Sequence, residues 1–160
     1  MTPRFETAVS FVLRVEGEPT NDPHDAGGAT VFGISRRAYP DIPWPPSRED
    51  AIAIYHRDYW MACRCAELPG QLAICLFDAA TNMGVHGALS LLQREVNTTE
   101  DGIIGRATLS AIRGRNHDEL TAAFMARRAM RYTELDGFPR FGRGWIRRCF
   151  DVYREAMTSL

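Results

Sequence analysis

At 160 residues, 45% apolar and 24% charged, the chain has the length and composition of a globular protein with a real core, as one domain or two small joined ones. No stretch approaches the roughly 18 apolar residues of a membrane span, which excludes an integral membrane protein of the helical kind. The net charge is −1, every one of the 19 basic residues is Arg, and the chain beyond Arg127 leans basic. Dispersed Arg on helices reads as a solvated face, and no RNP, zinc or recognition-helix signature supports a nucleic-acid partner.

The first element is a helix with Thr2 as its N-cap and Pro3 as its first residue. Phe5, Ala8, Val9, Val12 and Leu13 recur at the three/four spacing of one buried face. The next position in that series is Glu16. A carboxylate therefore falls in register with the core stripe at the helix end. Burial there would disfavour its charged form, which suits a general acid. The competing reading is a helix-end carboxylate turned to solvent or paired with an Arg.

A polar segment follows. Asn21-Asp22-Pro23, Asp25-Ala26 and Gly27-Gly28 are turn signals, and Thr30-Val31-Phe32 is β-prone, so the segment reads as a hairpin or compact loop. Such a reversal could return Asp22, Asp25 and Thr30 towards Glu16. Two carboxylates across a gap are what glycoside hydrolysis uses, one as acid and the other as base or nucleophile. Asp22 and Asp25 could equally cap turns.

Arg36 to Tyr39 reads as one helical turn, and the prolines from Pro40 to Pro46 then break regular structure around Trp44. Ser47, with Asp50 three residues on, opens a helix with Ala51, Ile52, Tyr55 and Tyr59 on its apolar face. Tyr59 and Trp60 end it, placed either to stack on a sugar ring or to fill the core. Pro69-Gly70 separates the halves. Leu72, Cys75, Leu76, Ala79, Ala80 and Met83 mark a strongly apolar helix stopped by Gly84. Asp78 and Asn82 lie off that stripe, one turn apart, suited to hydrogen-bond sugar amides in a groove or simply to pair.

Leu89, Leu92 and Val96 define a further helix closed by Asn97, and Asp101-Gly102 is a turn before a short helix with Thr108, Leu109 and Ile112. Asn116 and Glu119 open a long helix that buries Ala122, Met125, Ala126, Ala129 and Tyr132 and stops at Gly137. Pro139 precedes the last helix, whose stripe is Trp145, Cys149, Val152, Tyr153 and Ala156; Trp145 reads as a core anchor. Cys63, Cys65, Cys75 and Cys149 lack zinc-site spacing and read as buried free thiols. The histidines are scattered. Neither a metal nor a cofactor is expected.

Taken together, Glu16-Gly17, Asn21-Asp22-Pro23, Asp25, Gly27-Gly28, Ala29-Thr30 and Phe32-Gly33-Ile34-Ser35 resemble the signature of the muramidases of glycoside hydrolase family 108. Arg57-Asp58-Tyr59-Trp60, the segment Phe77 to Gly84, Asp101 to Gly105 with Thr108-Leu109, and Phe141 to Arg148 continue the resemblance in order. It implies a mainly α, lysozyme-like fold with a small N-terminal β-hairpin. Residues 1–68 would be the catalytic region, and residues 69–160 a helical peptidoglycan-binding region packed on it. It implies cleavage of the β-1,4 bond between N-acetylmuramic acid and N-acetylglucosamine, with Glu16 as catalytic acid. The spacing from Glu16 to Asp25 and Thr30 is also similar to that of T-even phage lysozymes and suggests those two as partners. Asp22, Tyr59, Asp78 and Asn82 would contact the glycan. Glu18 and Pro19 depart from the family's Glu-Gly-Gly pattern, and they leave open a binding or scaffold protein on the same fold. The expected partner is the glycan strand, met by a monomer, with no nucleic acid. Met1-Thr2-Pro3-Arg4 leads straight into an amphipathic helix, so synthesis in the cytoplasm is expected, with release to the wall through a holin or a secretion apparatus.

Overall fold

The computed structural model describes residues 2–16 and 30–159. Helix α1 spans Pro3–Glu16, with the Thr2 hydroxyl accepting from the Phe5 amide at 3.4 Å. It buries the expected face and also Phe11, a stripe wider than the bare three/four series. Strands β1 (Thr30–Val31) and β2 (Ile34–Ser35) pair antiparallel, Thr30 opposite Ser35 and Val31 opposite Ile34. The hairpin turn is Phe32-Gly33, with φ of 53° and 73°, as a two-residue type I′ turn demands at both positions. The turn signals before it, with Asp22 and Asp25, lie outside the described residues.

Helix α2 covers Arg48–Tyr55. Its capping box forms as expected: the Ser47 hydroxyl accepts from the Asp50 amide at 3.1 Å, and the Ser47 amide donates to the Asp50 carboxylate at 3.0 Å. The helix then runs on as a π-helical segment, His56–Met61, before a short 3-10 turn at Cys65–Glu67. Trp60 turns inward from that segment, with its ring 5.3 Å from Phe5 and 5.7 Å from Phe77. It is a core residue.

Helix α3 (Gly70–Met83) is the centre of the fold. Every residue from Leu72 to Ala80 is buried, so the helix is enclosed on all sides. It packs against α1 and against α4 (Val85–Glu95), α6 (His117–Thr133) and α7 (Phe138–Thr158). Helix α5 (Arg106–Arg113) leans on α6. Asn116 caps α6 by accepting from the Asp118 and Glu119 amides, each at 3.1 Å. That helix ends at Thr133, before Gly137 is reached. Gly137 has a different duty: a Cβ there would stand 3.1 Å from the Trp145 ring, so glycine lets the indole lie on the α6–α7 connection. The four cysteines are buried and free. Among the described residues, no helix is long and apolar enough to cross a membrane.

Candidate active site

Glu16 is the last residue of α1, and its side chain is 32% exposed. The position matches the stripe argument, but the surroundings do not. Instead of apolar walls, Glu16 meets the Arg148 guanidinium of α7, whose Nη1 donates to Oε1. The Arg-paired reading of this carboxylate is the one the structure takes.

Arg148 is itself held from behind. Its Nε donates to Asp78 Oδ1 at 2.9 Å, its Nη2 stands 2.8 Å from the same oxygen, and Nη2 also reaches the Thr81 hydroxyl at 3.4 Å. The other Asp78 oxygen accepts from Arg128 Nη1 at 2.7 Å. Arg128 Nε donates to the Tyr132 hydroxyl at 3.0 Å, and Tyr132 donates to Asn82 Oδ1. Helices α1, α3, α6 and α7 are thus tied by one line of alternating charges, two carboxylates against two guanidiniums. Burial opposes the charge on both arginines, but Asp78 beside them outweighs it and holds each more firmly protonated than a free Arg.

The hairpin closes the other side. The Tyr55 hydroxyl donates to the Phe32 carbonyl at 2.9 Å and pins the turn. A Cβ on Gly33 would lie 2.5 Å from that hydroxyl and 3.3 Å from Glu16 Cβ. Glycine is required here twice, for its positive φ and for the close approach of the turn to Glu16. Burial, and then the nearby charge of Glu16, push the Tyr55 hydroxyl well above the ordinary tyrosine range, so it stays a donor. Tyr59 sits next to it, half-buried, with ring centres 5.6 Å apart. Burial raises its hydroxyl too, with Asp58 and Glu16 adding and a hydrogen bond to Tyr39 opposing.

Residues 9–84 match the family Glycosyl hydrolase 108, and residues 87–150 match the Predicted Peptidoglycan domain. Over residues 9–84 the chain thus carries the glycosyl hydrolase 108 domain. Among solved structures it is similar to the one titled "Structure of Brucella abortus SagA", at 29% identity, over 96% of this chain and 93% of that one, with a TM-score of 0.87. No curated protein matches the chain significantly in sequence. The mainly α, lysozyme-like fold, with one hairpin among the described residues, is therefore the chain's architecture. Family and domain together support a glycoside hydrolase that binds and acts on peptidoglycan.

The residues expected from sequence take different places. Thr30 opens β1, at the base of the hairpin whose tip covers Glu16. Tyr59 lies within the field of Glu16. Asn82 is exposed at the end of α3. Asp25 and Asp22 lie outside the described residues. Asp78 needs correcting as a glycan contact: it is 1% exposed, with both oxygens engaged by arginine, and it faces no groove. It was placed off the apolar stripe of α3, but a helix buried all round has no solvent side to turn to.

Sequence reasoning missed Arg148 and Arg128. For Arg148 the signal was present: the α7 stripe Trp145, Cys149, Val152, Tyr153 passes through position 148, and the argument that singled out Glu16, a charge in register with a core face, applies to it. On α6 the expected face of Ala122, Met125, Ala126, Ala129 and Tyr132 is corrected: the buried side is Phe124, Met125, Arg128 and Tyr132, and Ala122 and Ala126 are exposed, because the small alanines did not mark the face on which the large side chains pack. Charges in three converging stripes should be expected to find each other, since burial penalises any left unpaired.

Among the described residues, no group of three or more His, Cys, Asp or Glu could hold a metal ion.

Proposed function

We propose that this chain is a muramidase, cleaving the β-1,4 bond between N-acetylmuramic acid and N-acetylglucosamine with Glu16 as general acid. One observation carries the reading. Glu16 ends α1 at the rim, under the Gly33 turn and 32% exposed, so its carboxyl is placed to hand a proton to a bound glycan while Arg148 holds Oε1. Delivered to the glycosidic oxygen, that proton lets the bond to the anomeric carbon break. The carboxylate left behind faces Arg148, which balances the new negative charge. The Gly33 turn over Glu16 and the rigid backing of Arg148 by Asp78 keep the acid in one place. We assign the second carboxylate to Asp25, and to Thr30 the holding of the water that completes hydrolysis.

The test is digestion of purified peptidoglycan with the products' reducing ends identified. The native chain is expected to expose reducing N-acetylmuramic acid. Glu16→Gln should lower the rate by about 10²–10⁴-fold, the usual range for a general acid, with an unchanged melting temperature. Near-normal activity of that variant removes Glu16 from the reaction. Products ending in reducing N-acetylglucosamine would overturn the bond assignment, and wall binding without any new reducing ends would indicate a scaffold.

A further inference from the structure

Only residues 134–137 join α6 to α7, so the two helices run antiparallel as neighbours, and an apolar groove of about 260 Å³ runs between them on their outer side. Ala122, Ala126 and Ala129 line it from α6, and Cys149, Phe150 and Tyr153 line it from α7. Ala122 and Ala126 are exposed, and the Phe150 ring stands at the groove edge, 69% exposed. Met130 and Met157, also exposed, extend the apolar surface along both helices. A patch of this kind marks a contact surface. It turns away from Glu16: two residues carry a helix about 200° round, so Phe150 leaves α7 on the side opposite Arg148, which holds that carboxylate.

The charges around the groove divide between its ends. Arg143 and Arg147 lie towards the α6–α7 connection, and Asp118 and Glu119 lie at the other end, where α6 starts. Asp151 already serves Arg147 and Arg154 within the chain. Arg143 and Glu119 are exposed and form no ion pair among the described residues. Their spacing is matched. Phe150 and Ala126 line the groove from opposite helices. From Phe150 back to Arg143 is seven residues, and from Ala126 back to Glu119 is seven, about 10 Å of helix each and in opposite directions. A two-fold axis through the groove exchanges its ends. It lays Phe150 of each copy on the Ala126 surface of the other, and the same rotation brings Arg143 of each copy to Glu119 of the other.

From this register we propose that the α6–α7 face is the interface for a second copy of the chain, in place of the monomer expected from sequence. The contact is isologous: each Phe150 ring fills the alanine-lined groove of the other copy, and two Arg143–Glu119 pairs close the rim. The net charge of −1 leaves little long-range repulsion to keep two copies apart. An anionic bilayer is a poorer match for the same face, since Asp118 and Glu119 would meet its phosphates. Both Glu16 rims stay open, on the sides of the dimer away from the contact.

Sedimentation equilibrium over a micromolar concentration series at low salt tests this. The native chain is expected to pass from monomer to dimer and no further. Phe150→Asp puts a charge into the apolar contact and should weaken the dimer at least about 30-fold, the scale of a central interface residue. Arg143→Glu or Glu119→Arg alone should weaken it about tenfold by setting like charges opposite each other, and the chain carrying both reversals should recover native association. All three positions are exposed, so each variant should keep the native melting temperature, which is measured alongside. A native chain that stays monomeric throughout overturns the proposal. So does a dimer indifferent to Phe150→Asp, or a pair of charge reversals whose effects add instead of cancelling. Vesicles of phosphatidylglycerol and of phosphatidylcholine are run in parallel. Phe150-dependent pelleting with the anionic vesicles, by a chain that is monomeric without them, gives the face to a lipid surface and overturns the second copy.

Discussion

Asp78 and Glu16 share one arginine and differ in everything around it. Asp78 lies in the interior between α3, α6 and α7, 1% exposed, with Arg128 on one oxygen and Arg148 on the other. Glu16 lies at the rim where α1 meets the hairpin, 32% exposed, with Arg148 on one oxygen. An ion pair alone therefore does not mark a reacting group. A carboxylate with no oxygen to spare and no path to solvent can neither give nor take a proton from a substrate; its part is to hold two guanidiniums in place. The carboxylate at the rim is part exposed, and among the described residues only Arg148 is seen to bind it. On the proposed reading the interior pair steadies the rim and the rim carries the chemistry.

Breaking each member should separate the two roles. Glu16→Gln is expected to remove activity and spare stability. Asp78→Asn should cost stability first, with activity falling only as far as Arg148 loosens. It leaves the fully buried Arg128 without its counter-charge and Arg148 with Glu16 alone, and breaking a buried pair in this way costs roughly 3–5 kcal/mol. Denaturant melts of the two variants, set against their wall-clearing rates at a temperature where both are folded, check the contrast. If Asp78→Asn keeps native stability, the interior does not brace Arg148 as described.

A smaller effect probes the contact between hairpin and rim. Gly33→Ala brings a methyl group to 2.5 Å from the Tyr55 hydroxyl, at a residue with φ of 73°. The left-handed backbone alone costs an alanine about 1–2 kcal/mol. The turn must also shift off Glu16, so clearing of walls should slow together with the drop in melting temperature. A stability loss with unchanged rate would show that the turn is not part of the site.

How much of this was legible depended on whether the signal was local. The α1 stripe ending at Glu16, the Ser47–Asp50 capping box and the stop at Gly84 are set by residues a turn apart, and they came out as read. The hairpin was legible as a tendency. Its turn fell at Phe32-Gly33, since the pairing of Thr30-Val31 with Ile34-Ser35 selects a two-residue loop. The partners of Glu16 and Asp78 were not legible as pairs. They lie 132 and 50 residues away in sequence, and nothing local says which of many arginines turns inward. The α7 stripe could have picked out Arg148; the α6 stripe as read from its alanines faces away from Arg128.

A third carboxylate gives the comparison its weakest and cleanest limb. Asp58, in the π-helical segment, is bound by the neighbouring Arg57 at 2.5 Å and by the Tyr39 hydroxyl at 2.9 Å. Arg57 first, and Tyr39 with it, hold its carboxyl below the ordinary aspartate range against the opposing effect of partial burial. A group whose folded value is depressed contributes stability that is fully present above the unfolded value, near 3.9, and lost as pH falls through the folded value. Asp58→Asn should therefore lose that small contribution at neutral pH and flatten the loss of stability below about pH 4, where the two chains converge. The partner arginine is largely in solvent, so the effect should also shrink in high salt, where the interior Asp78 contact should hold. Melting curves of both chains between pH 3 and 7, at low and high salt, read all of this. An acid limb identical with and without Asp58 would mean that its pairing adds nothing to the fold, and that only the buried member of the three is structural.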